Sequence, residues 1–155
     1  MSGTRAQEVY QFRLVQAGRK EMAGPCFAAD FGRFCTAVND EKEEAAREAL
    51  VQIGCSARTI YEKLGGETAA FVPRMLTERY RQDCKWGVQT HGGHTWAAIL
   101  GEEIGEFCEA LESKETAEAI IEAVQVAAVA CAAFEQSLTR AGLRPQWGTF
   151  TKDEQ

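Results

Sequence analysis

The sequence predicts an all-α protein, a helical bundle built around one principal domain, and three observations carry that reading. The 155 residues include 24 alanines but only three prolines, and Ala loses least on entering a helix while Pro loses most. Runs of β-branched residues are few, and apolar residues recur at helical spacing through the second half of the chain. The hydrophobic fraction of 45% is enough for a real core; the Ala and Pro usage argues against an all-β fold, and charges of mixed sign at 26% argue against wholesale disorder.

Taken in order, residues 4–22 read as a polar amphipathic helix. Gly24, Pro25, Gly32 and Asn39 then punctuate an aromatic stretch that holds Phe27, Phe31 and Phe34. A second polar helix runs over 40–63 and opens with Asp40 and Glu43 at capping-box spacing. Leu64-Gly65-Gly66-Glu67 reads as a helix stop, because paired glycines supply the left-handed conformation a C-terminus needs. Helices over 68–85, 95–112 and 116–141 follow, with a loop at 87–94 between the first two and Thr95 suited to cap the second. The domain reading is a helical extension over 1–67, a core over 68–142 and a polar tail over 143–155.

Charge and cysteine usage narrow the function. A net charge of -6 gives no electrostatic reason to bind nucleic acid or anionic lipid, and suits a protein that collects cations. The six cysteines stand no closer than the nine positions between Cys26 and Cys35, so no CxxC unit exists for zinc or redox chemistry, and reduced thiols in a cytoplasm are expected. Cys84, His91 and His94 lack a fourth zinc ligand at any recognisable spacing. No apolar run follows the N-terminal charges, so no signal peptide is expected. The longest apolar stretch, 123–134, is about half the ~20 residues a membrane span needs, and a soluble protein is expected.

The chemistry concentrates in one acidic segment. Eight glutamates lie between Glu102 and Glu122, opposed by Lys114 alone. Like charges three or four positions apart oppose helix formation, so something other than local helix stability favours them; a solvated acidic face is the alternative. On a helical wheel Leu100, Ile104, Phe107, Cys108 and Leu111 form an apolar stripe, Glu102 and Glu109 point away from it, and Glu103 and Glu106 lie along its border. The following helix is apolar on two sides, with a seam of Ile120, Val124, Ala127, Cys131, Phe134 and Leu138 opposite Glu118, Glu122, Gln125, Val129 and Ala132, so it belongs inside a bundle. Inward oxygens from Glu103, Glu106, Glu122 and Gln125 can build a cage for a hard divalent cation, Mg2+ first and Mn2+ second.

Glu103-x-x-Glu106, fifteen residues, then Glu122-x-x-Gln125 resembles the ExxE…ExxD signature of the all-α NTP pyrophosphatases. Lys85-Trp86-Gly87-x-Gln89-x-His91, then 100–106 and 125–130, resemble the MazG-like members often carried by phage genomes. The likeness covers about residues 75–140. It implies a Mg2+-dependent hydrolase that cleaves a nucleoside triphosphate between its α and β phosphates. Glu103, Glu106 and Glu122 would be catalytic and metal-binding, with Gln125 as a further ligand where the family usually has Asp. An amide oxygen binds Mg2+ more weakly than a carboxylate and is no base, so one glutamate would have to orient or deprotonate the attacking water.

Trp86, His91 and Lys85 would contact substrate. A core or interface role competes for Trp86, and helix capping competes for His91. The unit over 68–141 presents more apolar face than it can bury alone, so a homodimer or homotetramer is expected. A catalytically weak metal- or nucleotide-binding interaction protein is the alternative function, prompted by Gln125 and the N-terminal helices; an acidic helical adaptor without an active site is the third.

Overall fold

The computed structural model describes residues 5–17, 27–87 and 89–139. They form six helices: α1 (Arg5–Ala17), α2 (Phe27–Asn39), α3 (Glu43–Lys63), α4 (Thr68–Trp86), α5 (Gly93–Glu112) and α6 (Thr116–Thr139). No strand occurs among the described residues, as an all-α fold requires. Residues 18–22 of the first expected helix, Gly24, Pro25, residues 140–141, the side chain of Leu138 and the tail from 143 lie outside the described residues.

Helix α6 runs through the bundle and packs against α1, α3, α4 and α5. Its composition explains the position: Val124, Ala127, Cys131 and Phe134 on one side and Glu122 and Val129 on the other are all buried. It is also long and apolar enough to cross a membrane by length and composition, yet most of it is buried against the other helices. One hydrophobic cluster joins Tyr10, Leu14, Phe34, Leu50 and Ile53 with Phe71, Met75, Leu100 and Phe134. The helices before Gly66 therefore share a core with those after it, and they cover the apolar area that the segment 68–141 could not bury alone.

Three turns use one device. Glu41, Gly65 and Lys114 each adopt positive φ (56°, 101° and 56°). The amide of the next residue then bonds back five positions, Lys42 to Ala37, Gly66 to Tyr61 and Glu115 to Ala110, at 2.8–3.0 Å. This is the Schellman closure, which satisfies carbonyls left free at a helix C-terminus, and it bears out the helix stop at 64–67.

Other local expectations need correction. The aromatic stretch is helical: Phe27 and Phe34 are buried in α2, and Gly32 sits on its exposed side. The expected capping box does not form, since Asp40 donates its amide back to Thr36 and α3 is capped at Lys42 with no side-chain bond. Helix α5 starts two residues before Thr95, with Gly92 at its cap.

Helix α2 braces α5. Phe27 meets Phe107 edge to face at 5.1 Å, and a Cβ at Gly101 would stand 3.1 Å from Phe31. At the far side, Tyr10 donates to the Leu50 carbonyl at 2.9 Å and packs on Phe134 at 5.0 Å between ring centroids. A Cβ at Gly54 would overlap the Tyr10 hydroxyl, so glycine there permits this contact.

Candidate metal centre and adjoining cavity

Helix α5 buries Trp96, Leu100, Phe107 and Ala110, a spacing of four, seven and three that defines one face. Glu103 falls on that face between Leu100 and Phe107 and is half-buried, whereas Glu106, Glu102 and Glu109 are exposed. The face is rotated from the expected stripe: Cys108 is exposed rather than core, and Leu111 is 43% exposed. Cys131 is buried, as expected. On α6, Glu122 is only 7% exposed and Gln125 is half-buried.

The two helices bring oxygen atoms of Glu103, Glu106 and Glu122 within 4.8 Å of one another, the one such grouping of His, Cys, Asp or Glu ligands among the described residues. Burial pushes the Glu103 carboxyl up to about 7, helped by the charges of Glu106, Glu102 and Glu78 and opposed by Arg81. Burial likewise lifts Glu122 to about 7, with Glu106, Glu103 and Glu118 adding to the rise. The nearby cation Arg81 is already engaged with Glu78, at 2.6 and 2.9 Å. Carboxylates held this close and this dry are relieved either by protons or by a cation.

Gln125 adjoins both Glu103 and Glu122. With its amide nitrogen toward them, it donates to Glu122 Oε2 at 2.8 Å and to Glu103 Oε2 at 3.2 Å. The opposite orientation directs its oxygen at the same point, completing an all-oxygen set of the kind that hard divalent cations take.

Glu103 also lines a cavity of about 510 Å3 between α4, α5 and α6. Its apolar wall includes Ile99, Val129 and Ala132, and Trp86 and Trp96 contribute indoles. Trp86 is 53% exposed, which removes the core alternative for it. Lys85 places its ammonium 4.6 Å from the centre of the Trp86 ring and is absent from the cavity wall.

His91 fastens the loop rather than lining the cavity. Its backbone amide and the Trp96 indole N–H both donate to Gln136 Oε1, at 2.7 and 2.9 Å. Gln136 donates back to the His91 carbonyl, and the imidazole stands edge-on to Trp96 at 5.0 Å. Gln136 thus ties the loop segment 89–92 to α6.

Sequence reasoning missed Gln136, Trp96 and the ion pair of Arg79 with Glu135, at 3.0 Å across α4 and α6. A buried polar residue in an otherwise apolar helix was the available signal for Gln136. No family model matches the chain, and no curated protein or solved structure matches it either.

Proposed function

We propose that the chain is a Mg2+-dependent nucleoside triphosphate pyrophosphohydrolase of the MazG-like all-α type, releasing monophosphate and pyrophosphate, with Mn2+ as a substitute ion. The observation that supports this reading most is the convergence of Glu103, Glu106 and Glu122 within 4.8 Å beside a nucleotide-sized cavity that shares Glu103. Glu103, Glu106, Glu122 and the Gln125 oxygen would hold the ion, which neutralises phosphate charge and acidifies water when bound. Glu103, facing both cluster and cavity, orients the attacking water. Trp86 offers its indole face to the substrate's base, Lys85 acts through Trp86, and His91 holds the loop that follows the helix carrying them.

A second copy is not needed to cover α6, whose apolar faces meet α1, α3, α4 and α5; a homodimer or homotetramer would need another motive. Gln125 favours a second reading, a catalytically weak metal- or nucleotide-binding protein, because its amide can satisfy the two acids without an ion. The deciding assay incubates the protein and Mg2+ with canonical NTPs and dNTPs and resolves the products. Monophosphate with pyrophosphate is expected. Diphosphate with orthophosphate, or no turnover of any triphosphate, would overturn the proposal.

A further inference from the structure

Opposite its shared edge with the acidic cluster, the cavity carries polar groups that metal chemistry does not use. Arg79 is 6% exposed and reaches Glu135 at 3.0 Å and Asp83 at 3.2 Å with one terminal nitrogen, so the guanidinium holds both carboxylates. All three residues line the cavity. Asp83 takes the Arg79 nitrogen with both oxygens, at 3.2 and 3.4 Å, and Glu135 takes it on Oε2 while accepting from the Cys131 thiol on Oε1; a carboxylate has about four acceptor sites, so these contacts do not by themselves fill either group. The Arg79 Nε–H is buried without an acceptor among the described residues, and a buried donor left unpaired is unfavourable. With Glu102 and Glu103, the wall holds four carboxylates against one guanidinium, so it favours a ligand edge rich in N–H donors.

Resting on the pyrophosphohydrolase reading, we propose that Asp83, Glu135 and Arg79 are specificity-determining residues that read the edge of the substrate's base and select bases carrying an exocyclic amino group. The amino N–H bonds go to the Asp83 and Glu135 carboxylates, and the adjacent ring nitrogen or carbonyl lies toward Arg79. Cytosine, adenine and guanine offer that combination. Uracil, thymine and hypoxanthine place a carbonyl where cytosine and adenine have the amino group, which sets oxygen against carboxylate oxygen. The apolar wall of Ile99, Val129 and Ala132 and the two indoles accept any planar ring, so discrimination falls to the polar edge.

The test is equilibrium binding followed by quenching of tryptophan fluorescence, using cytidine and uridine triphosphates with an imido bridge between the α and β phosphates, in Mg2+. The cytidine analogue should bind about tenfold or more tightly, as one good polar pair discriminates in other settings. The adenosine and inosine analogues should show the same sense, which separates the amino group from ring size. Asp83→Asn, at the more exposed carboxylate, should bring the cytidine and uridine affinities toward parity while the Mg2+ dependence of binding stays. Glu135→Gln should do the same if it folds, as checked by circular dichroism. Equal affinities in the parent protein, or no binding of either analogue, overturn the base-reading proposal even if triphosphates are cleaved. A clear amino preference without hydrolysis of the natural triphosphates leaves this subsite standing and removes the catalytic reading instead.

Discussion

Phe27 stands edge-on to Phe107, the ring centroids 5.1 Å apart and the planes at 86°, so the N-terminal helices brace the helix that carries Glu103 and Glu106. The same segment supplies Tyr10, Leu14, Phe34, Leu50 and Ile53 to the common core. Removing residues 1–67 is therefore expected to abolish cooperative unfolding instead of releasing a folded catalytic unit. Phe107→Ala should lose about 3–5 kcal/mol, the usual loss for a buried aromatic. Denaturant titrations followed by circular dichroism check both. A truncated chain that melts cooperatively would show that 68–142 folds alone.

The acidic cluster gives stability a pH dependence of definite sign. Glu103 and Glu122 titrate near 7 in the folded protein against an ordinary 4.5, so between those values the folded state binds more protons than the unfolded. Their contribution is most favourable below about pH 4.5, falls as pH rises through about 7, and then levels off. In chelator, Tm should drop between about pH 5 and about pH 8, and the drop should shrink in a Glu103→Gln, Glu122→Gln double variant. At about pH 8, millimolar Mg2+ should raise Tm by binding only the folded state, and the double variant should lose the rise. A parent melting curve indifferent to Mg2+ at that pH would refute the metal site.

Single neutralisations separate the site from the surrounding acids. Glu109→Gln should leave hydrolysis within about twofold, since substitutions at exposed positions away from the site have small effects, and Glu102→Gln, which lines the cavity but lies outside the converging oxygens, should lose far less than the cluster acids. Glu103→Gln, Glu106→Gln and Glu122→Gln should each lose more than the about 10–100-fold typical of removing an outer-shell partner, with the fold intact by circular dichroism. Steady-state pyrophosphate release measures it. Similar losses at Glu102 and Glu109 would mean that the whole acidic face, not three converging oxygens, supports the reaction.

What could be read from the sequence divides by the range of the interaction. Gly65 and Gly66 announced a local closure and it formed. The two-sided pattern of α6 announced a central helix, because burial on both faces leaves few polar positions to misread. Helix α2 was hidden by Gly32, whose propensity penalty of about 1 kcal/mol is outweighed by burying Phe27 and Phe34 together. The wheel identified Glu103 but turned the stripe toward Cys108 and Leu111, because periodicity gives a face and not the neighbour that covers it. The Arg79–Glu135 pair spans 56 positions, and no local pattern encodes such a contact.

The turn between α5 and α6 offers a stability test independent of function. Lys114 adopts φ of 56°, a region that disfavours side chains with a Cβ by roughly 1–2 kcal/mol, while its neighbour Glu115 bonds back to Ala110 at 3.0 Å. Lys114→Gly should remove that strain, and after the extra entropy glycine gains in the unfolded chain a net gain of about 1 kcal/mol is expected. Thermal denaturation should show a higher Tm, whereas Lys114→Ala, which keeps the Cβ, should show little change. A gain from alanine equal to that from glycine would assign the effect to the lysine side chain and not to the backbone.

Gln125 separates an adapted site from a weakened one. Its amide can donate to Glu122 and Glu103 at 2.8 and 3.2 Å when no cation is present, and binding an ion through the Gln125 oxygen requires that amide to turn over. Gln125→Asp removes the two donors and adds a fourth negative charge to acids that already repel one another. The variant should melt below the parent in chelator at neutral pH, yet gain more from Mg2+, since a carboxylate is the stronger ligand. The crossing of these two effects can be read from melting curves alone, with no assumption about turnover. Activity then distinguishes the functional readings: a large rise in pyrophosphate release means that glutamine weakened a carboxylate site, and a fall means that the site works with an amide at this position. If the variant were destabilised in chelator but gained no more from Mg2+ than the parent, Gln125 would be a hydrogen-bonding partner of the two acids and not a ligand.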